Sequence, residues 1–68
     1  MRRFPPPWKI EQLDGGYKVV DANGASLAYV YGHLNARDAI TANGLTLDEA
    51  RRIASNIAKL PRLLGKGV

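Results

Sequence analysis

The chain has 68 residues, 46% of them hydrophobic and 24% charged, which indicates one small globular domain near the lower size limit for folding without a covalent or metal staple. Cysteine is absent and histidine occurs once, and this excludes a disulfide scaffold and a structural zinc finger. Ten Lys and Arg against six Asp and Glu give a net charge of +4, and half of the basic residues but none of the acidic ones lie in residues 50–68.

The N-terminal segment, residues 1–7, carries three consecutive prolines, which stand between Phe4 and Trp8. Each proline fixes its own φ and disfavours helical geometry in the residue before it, so the segment is predicted to be an extended, polyproline II lead-in. An aromatic residue beside prolines is also a form that proline-recognition domains bind. The favoured interpretation is structural, with Phe4 and Trp8 folding back to cover a small core.

Residues 8–31 contain three short runs in which apolar and polar side chains alternate, separated by two glycine-containing turns. This pattern predicts a three-stranded antiparallel β-meander. A two-residue type I′ turn at Asp14 and Gly15 fits the first connection. It would place Glu11 opposite Lys18 as an oppositely charged pair.

The second turn sets the predicted faces of the sheet. Asp21 and Gly24 suit a type I turn followed by a left-handed glycine bulge, in which register Val19 lies opposite Leu27. A two-residue turn at Asn23 and Gly24 is rejected, because it would separate that pair. One face then collects the large apolar side chains of Trp8, Ile10, Tyr17, Val19, Leu27, Tyr29 and Tyr31. The other face carries Lys9, Glu11, Leu13, Lys18, Val20, Ser26, Ala28 and Val30.

A short helix is predicted after the meander, over residues 36–42. Asn35 is suited to cap its N-terminus, Asp38 lies in its first turn, and Asn43 with Gly44 is typical of a helix end. A helix of this length needs tertiary support to form.

The main helix is predicted over residues 46–60. Thr46 and Glu49 have the spacing of a capping box, so the helix should start after Thr46. Apolar residues recur at intervals of three and four along one side, at Ala50, Ile53, Ala54, Ile57 and Leu60. Pro61 should end or kink the helix, with Leu63 and Leu64 adding a final turn before a frayed tail at residues 65–68.

The predicted fold class is therefore α+β: a single domain, residues 1–68, in which a three-stranded antiparallel β-meander packs on one C-terminal amphipathic helix, with a short extra helix before it. The aromatic face of the sheet and the Ile and Ala stripe of the helix should cover each other, because they are the two large apolar surfaces. The cationic side of the helix should then face solvent.

Four stretches of the chain, RRFPPPW (2–8), DANG (21–24), YVYG (29–32) and LTLDEARRIASNIAKLPRLL (45–64), resemble a family of short uncharacterised proteins encoded in alphaproteobacterial genomes. The resemblance covers nearly the whole chain. It implies a self-contained bacterial protein of the cytoplasm, and it implies no activity or catalytic residues.

The residues that carry catalytic chemistry in enzymes are poorly represented. His33 is the only imidazole, it has no Ser or Cys partner at a recognisable spacing, and it is expected to be an exposed loop residue. Adjacent Asp48 and Glu49 are explained by helix capping, and the glycine-rich stretches belong to hairpins rather than to a phosphate-binding loop. We therefore expect no enzyme, no cofactor and no bound metal.

Nucleic-acid binding is one functional hypothesis. A helix-turn-helix formed by the two predicted helices is disfavoured, because Asn43 stands where an apolar residue is usual and because Asp48 and Glu49 would face phosphates. A looser version has the basic side of the helix contacting a phosphate backbone without reading bases. The candidate phosphate contacts are Arg51, Arg52, Lys59 and Arg62.

Protein interaction is the favoured hypothesis. The second face of the sheet would be uncovered, and a protein partner or a second copy of the chain would bind there or at an edge. The candidate interaction residues are Leu13, Val20, Ala28 and Val30. No membrane partner is expected, because no apolar run approaches the ~18 residues that cross a bilayer and the apolar side of the helix is needed for the core. The prolines after Arg3 do not fit a signal peptide, so the cytoplasm is the expected location.

Overall fold

The computed structural model describes residues 3–65 and shows an α+β fold, as predicted. The elements in chain order are β1 (Lys9–Leu13), β2 (Gly16–Val20), β3 (Ser26–Tyr31), α1 (Ala36–Thr41), α2 (Leu47–Ala58) and α3 (Leu60–Leu64). The strands form one antiparallel sheet in the order β1-β2-β3, and α2 packs across all three of them. The beginning of the predicted lead-in and most of the predicted frayed tail lie outside the described residues.

The first hairpin has the predicted register but a different turn. Glu11 lies opposite Lys18, and the Lys18 Nζ is 3.5 Å from the Glu11 Oε1. Gly15 has a φ of 79°, whereas Asp14 does not have a positive φ. A type I′ turn requires positive φ at both central residues, so the predicted turn type is wrong although the pairing that it was expected to produce is present.

The second hairpin has the predicted turn. The backbone N–H of Gly24 donates to the Asp21 carbonyl at 3.1 Å, the N–H of Asp21 donates to the Ala25 carbonyl at 3.0 Å, and Gly24 has a φ of 85°. Beyond this turn the ladder is irregular between Val19 and Val20, where the register shifts. Such a bulge moves every following side chain of the partner strand to the other face.

The register shift makes the predicted faces of β3 wrong. Val19 pairs with Ala28 instead of Leu27, and Lys18 pairs with Tyr29. Tyr29 therefore lies on the same face as Lys18 and on the opposite face from Val19. Tyr31, two residues further along the strand, shares the face of Tyr29.

Small side chains explain why this register is suited to the helix. Ala28 and Val30 lie on the same side of the sheet as Val19, which is the side covered by α2. The helix contributes Ala50 and Ala54, both fully inaccessible to solvent. Two tyrosine rings on this side would hold the helix away from the sheet, whereas alanine and valine allow the close approach that buries these residues.

The buried core is consequently smaller than predicted. Its apolar members are Val19, Val20, Ala39, Ala50 and Ala54. Ile53 was expected in the interior, yet it is 41% exposed, and Ile57 is half-buried. Arg51 and Arg52 face solvent, as expected.

The N-terminal segment has a bend at Pro6 and no regular secondary structure in residues 3–8, and its polyproline II course stays a prediction. The Trp8 Nε1–H donates to the Phe4 carbonyl at 3.0 Å, which fixes the two aromatic residues relative to each other. Both are half-buried, and both line a groove together with Leu27 and Ile57. Phe4 and Trp8 therefore do fold back onto the sheet and helix.

The short helix α1 forms with the predicted caps. The Asn35 Oδ1 accepts a hydrogen bond from the backbone N–H of Arg37 at 2.8 Å. At the other end Asn43 has a φ of 54°, and the N–H of Gly44 donates to the Ala39 carbonyl at 2.8 Å. This is a left-handed helix end in which the last carbonyls are satisfied. Within residues 3–65, no strand or other helix packs against α1.

A parallel bridge closes the segment that contains α1. The N–H of His33 donates to the Leu45 carbonyl at 2.7 Å, and the N–H of Leu47 donates to the His33 carbonyl at 3.0 Å. The end of β3 is thereby bonded directly to the start of α2. Residues 34–45 leave the body of the domain and return to it at the same place.

The main helix begins and bends as predicted. The Thr46 Oγ1 accepts from the Glu49 N–H at 3.1 Å, and the Glu49 Oε1 accepts from the Thr46 N–H at 2.9 Å, which is a complete capping box. Pro61 lies in the first turn of α3, and Lys59 separates α3 from α2. The proline therefore interrupts the helix, and α3 is the additional turn expected before Gly65.

Candidate functional site

The face of the sheet opposite α2 carries two exposed tyrosines, and we call it the open face, made of Glu11, Leu13, Lys18, Tyr29 and Tyr31. Tyr29 is 53% exposed and Tyr31 is 63% exposed. Their rings are parallel to within 7°, with centroids 6.2 Å apart. The alternation of β3 explains this arrangement, since residues two apart on a strand project from the same face.

Charged side chains stand beside the tyrosines. The pairings of Lys18 with Glu11 on one side and with Tyr29 on the other put the three residues in one row across the sheet. The Lys18 side chain is one-quarter exposed and its ion pair with Glu11 lies near the surface. The open face therefore combines an aromatic pair, which is enriched at protein interfaces, with one neutralised charge pair beside it.

The four predicted interaction residues do not form one surface. Leu13 lies on the open face and is half-buried, but Val20 is only 1% exposed. Ala28 and Val30 lie on the side covered by α2, because of the register shift described above. The predicted composition of the uncovered face is therefore wrong, and Tyr29 and Tyr31 take the place of Ala28 and Val30.

The first two predicted phosphate contacts are held by an acidic neighbour. The Arg51 Nη2 is 3.2 Å from the Asp48 Oδ1, and the Arg52 Nη2 is 2.6 Å from the Asp48 Oδ2. One carboxylate thus pairs with two guanidinium groups, within the first turns of α2. Hydrogen bonds from Arg51 and then from Arg52 hold the pKa of the Asp48 carboxyl below its usual value of 3.8.

The other two predicted phosphate contacts lie further along the chain, at the junction of α2 and α3. Lys59 and Arg62 are exposed there. They border an open groove of about 520 Å³, lined by Pro6, Pro7, Trp8, Ala58, Lys59, Pro61 and Arg62. The four cations therefore form two separate pairs, and the pair nearer the N-terminus of α2 shares one acidic partner.

We expect the Asp48 ion pairs to make the stability of the chain depend on pH in the acid range. A carboxyl whose pKa is lowered by folding stabilises the native state above its unfolded pKa, and this contribution is lost as pH falls through the folded pKa. The difference in unfolding temperature between the wild type and Asp48→Asn should thus be constant above about pH 5, begin to fall near the usual pKa of 3.8, and disappear only below the lower pKa of the folded state. Thermal unfolding of both proteins, followed by circular dichroism at a series of pH values across this range, measures the difference.

Asp38→Asn is the matched control for this experiment, because Asp38 also lies in the first turn of a helix and has no ion pair in the described part of the chain. Its difference from the wild type should change less with pH than that of Asp48→Asn. Equal pH profiles for the two variants would contradict a specific contribution from Arg51 and Arg52.

Catalytic and metal-binding chemistry find little support in the described residues. Between residues 3 and 65, no group of three His, Cys, Asp or Glu side chains is placed to hold a metal ion. His33 was expected to be exposed, but it is half-buried, with its imidazole beside Gly44. The buried Asp21 carboxylate accepts hydrogen bonds from the backbone N–H groups of Asn23 and Ala25. These groups therefore have structural contacts, and the expectation that the chain is not an enzyme stays a prediction.

None of the helices in residues 3–65 has the length and apolar character needed to span a membrane.

No protein-family model, curated protein or solved structure matches the chain. The resemblance to an alphaproteobacterial family therefore stays a prediction, and the open face is the candidate site that the geometry of the chain itself provides.

Proposed function

We propose that the chain is a small non-catalytic binding module that docks a protein partner on the open face of its sheet and on the adjoining edge of β3. The observation that carries this proposal is the stacked, exposed pair of Tyr29 and Tyr31. Tyrosine is enriched among the residues that dominate binding energy at protein interfaces, because its ring buries a large apolar area and its hydroxyl keeps a polar contact.

The preorganisation of the pair supports the same function. Each tyrosine has only two side-chain torsions to immobilise, and the two rings already lie parallel in the free chain. Binding therefore costs less conformational entropy here than at a surface of long flexible side chains. The neighbouring pair of Lys18 and Glu11 supplies polar groups at the side of the aromatic contact, where they favour a particular orientation of the partner.

Phosphate-backbone binding by α2 is less well supported by the geometry. Asp48 places a carboxylate on Arg51 and Arg52, so phosphates would have to displace an existing partner and would face an uncompensated negative charge. Lys59 and Arg62 are separated from this pair along the chain. The cations that could contact a phosphate backbone are therefore divided into two pairs, one of which already has an acidic partner.

Comparative affinity capture tests the proposal. The full chain, the double variant Tyr29→Ser with Tyr31→Ser, and the control Arg51→Gln with Arg52→Gln are each immobilised and exposed to a lysate of the organism that encodes the chain. A specific protein should bind the wild type and the arginine variant equally, and its binding should fall at least about tenfold in the tyrosine variant. Circular dichroism should show all three folded, since the four replaced side chains are exposed.

Two outcomes would overturn the proposal. The first is capture that is unaffected by the tyrosine changes but lost with the arginine changes. The second is retention on DNA at about 50 mM salt that weakens steeply as salt rises and disappears in the arginine variant, which is the behaviour of phosphate-backbone binding.

A further inference from the structure

On the outer edge of β3, the backbone N–H and C=O groups that point away from the sheet belong to the two tyrosines. The N–H of Gly32 donates to the Gly15 carbonyl at 3.0 Å, which marks this pair as one of the hydrogen-bonded pairs between β2 and β3. Such pairs alternate along an antiparallel ladder, so Val30 also bonds towards β2. The N–H and C=O groups of Tyr29 and Tyr31 must then point away from the sheet, and no described residue forms a hydrogen bond with them.

The two edges of the sheet differ in how they are protected against pairing. β1, with the sequence KIEQL, carries Lys9 and Glu11. β3, with the sequence SLAYVY, contains no charge and no proline. Edge strands of soluble proteins are commonly protected by charged side chains, prolines or bulges. Beyond the bulge, the regular part of β3 at residues 28–31 has none of these and carries β-branched and aromatic side chains, so it is suited to accept another strand.

We infer that the edge of β3 pairs antiparallel with β3 of a second copy of the chain, which makes a six-stranded sheet across a two-fold axis. This inference rests on the proposed function and names its partner. With the axis at Val30, Tyr29 of each copy lies opposite Tyr31 of the other. Both of these residues have outward backbone groups, so the two pairs exchange four hydrogen bonds.

The symmetry of this arrangement keeps the tyrosines together. A two-fold axis perpendicular to a sheet maps each face onto itself, so the open faces of both copies become one continuous face. The four rings of Tyr29 and Tyr31 then form two cross-strand pairs side by side at the junction, within the distances at which cross-strand aromatic pairs interact. Both copies of α2 lie on the opposite side.

The absence of charge on β3 permits a second copy as the occupant. The chain carries a net charge of +4, and like charges oppose self-association wherever they meet. β3 is a strand without any charge, so pairing two copies of it brings no like charges face to face. The same contact at β1 would place charged side chains of both copies at the junction.

The experiment is sedimentation equilibrium of the full chain between about 1 μM and 1 mM, with proline variants at the two edges. The wild type should show a monomer–dimer equilibrium. Tyr31→Pro removes an outward N–H without removing a bond to β2, and it should weaken association at least about tenfold. Gln12→Pro is the matched control at β1, since Gln12 lies opposite Tyr17, whose backbone bonds towards β3, and association should be unchanged.

A charge pair tests the register without proline. Tyr29→Lys with Tyr31→Lys should abolish the dimer, because the introduced charges repel across the axis. Tyr29→Lys with Tyr31→Glu should retain it, because each introduced lysine then lies opposite the introduced glutamate of the second copy. These exposed positions tolerate polar side chains, so both variants should fold, as circular dichroism would verify.

A wild-type chain that stays monomeric at about 1 mM would overturn the inference, as would a dimer that is equally weakened by Gln12→Pro. Capture of a different protein that depends on Tyr29 and Tyr31, together with a strictly monomeric chain, would refute only the second copy as the partner. Loss of both self-association and tyrosine-dependent capture would refute the proposed function as well.

Discussion

Gly32→Ala should lower the free energy of unfolding by about 3 kcal/mol. A single core of this size provides only about 3 to 5 kcal/mol, so the substitution should remove most of the stability of the chain. A Cβ at Gly32 would lie 2.5 Å from the carbonyl oxygen of Thr46, 2.7 Å from its carbonyl carbon and 2.9 Å from the Cα of Leu47. All three are backbone atoms, so no side-chain rotation relieves the contact. The start of α2 would have to move away from the end of β3, and this would break the bridge to His33.

Gly44→Ala is the control for this substitution. A Cβ at Gly44 would meet only the imidazole of His33, at 3.0 Å from Nε2 and 3.2 Å from Cδ2. A side-chain end can rotate away, so we expect a loss below about 1 kcal/mol. Urea unfolding of both variants measures the two changes. Comparable losses, or a Gly32→Ala variant as stable as the wild type, would contradict the close approach of the backbones.

Asp21→Ala should have the next largest effect, a loss of about 1 to 3 kcal/mol in the free energy of unfolding. The Asp21 side chain is buried, with the residue only 3% exposed, and its Oδ1 accepts from the N–H groups of Asn23 and Ala25, both at 2.9 Å. Alanine would leave these two donors without their acceptor inside the second turn. The register shift between Val19 and Val20 follows this turn directly, so the pairing of β3 should weaken too.

Asp21→Asn tests whether the hydrogen-bond acceptor or the negative charge of Asp21 stabilises the turn. Its amide oxygen can occupy the position of Oδ1 and accept both hydrogen bonds, so most of the stability should be retained. Urea unfolding of the two variants, with amide hydrogen exchange of Ala25 as a local readout, makes the comparison. Equal losses in Asp21→Ala and Asp21→Asn would mean that the acceptor is not what stabilises the turn.

Local signals were sufficient to predict the helices and the turns. The spacing of Thr46 and Glu49 allows both hydrogen bonds of a capping box, and the geometry of that motif depends only on residues within one helical turn. The end of α1 at Asn43 was predictable for the same reason, because a left-handed conformation is tolerated by few residues other than glycine. Pro61 likewise interrupts the helix through its own covalent structure.

The register of β3 could not be predicted in the same way. Alternation assigns a strand to a face only when one set of alternate residues is polar, and residues 27–31 of the chain read LAYVY, which is apolar in both sets. The expectation that the largest side chains are buried then selected Tyr29 and Tyr31 for the core. The bulge at Val19 and Val20 reverses this assignment, and no turn residue marks it in the sequence.

The candidate site was missed for the same reason. The tyrosines that dominate the open face were assigned to the interior, whereas Ala28 and Val30 were assigned to the surface. The short side chains of Ala50 and Ala54 were the available signal, since a helix with alanines in its buried stripe approaches a sheet closely and leaves little depth for aromatic rings. The basic residues of α2 were correctly expected at the surface, but their shared partner Asp48 became evident only from the geometry.

The bridge between His33 and the start of α2 has a consequence for how this domain can vary. Because residues 34–45 begin and end at bonded positions, their length is not coupled to the packing of the sheet on α2. Doubling the length of such a closed loop costs only about 0.6 kcal/mol of chain entropy. Ala39 of α1 is only 2% exposed and belongs to the core, so the exposed residues on either side of it are the natural points for grafting a new recognition element.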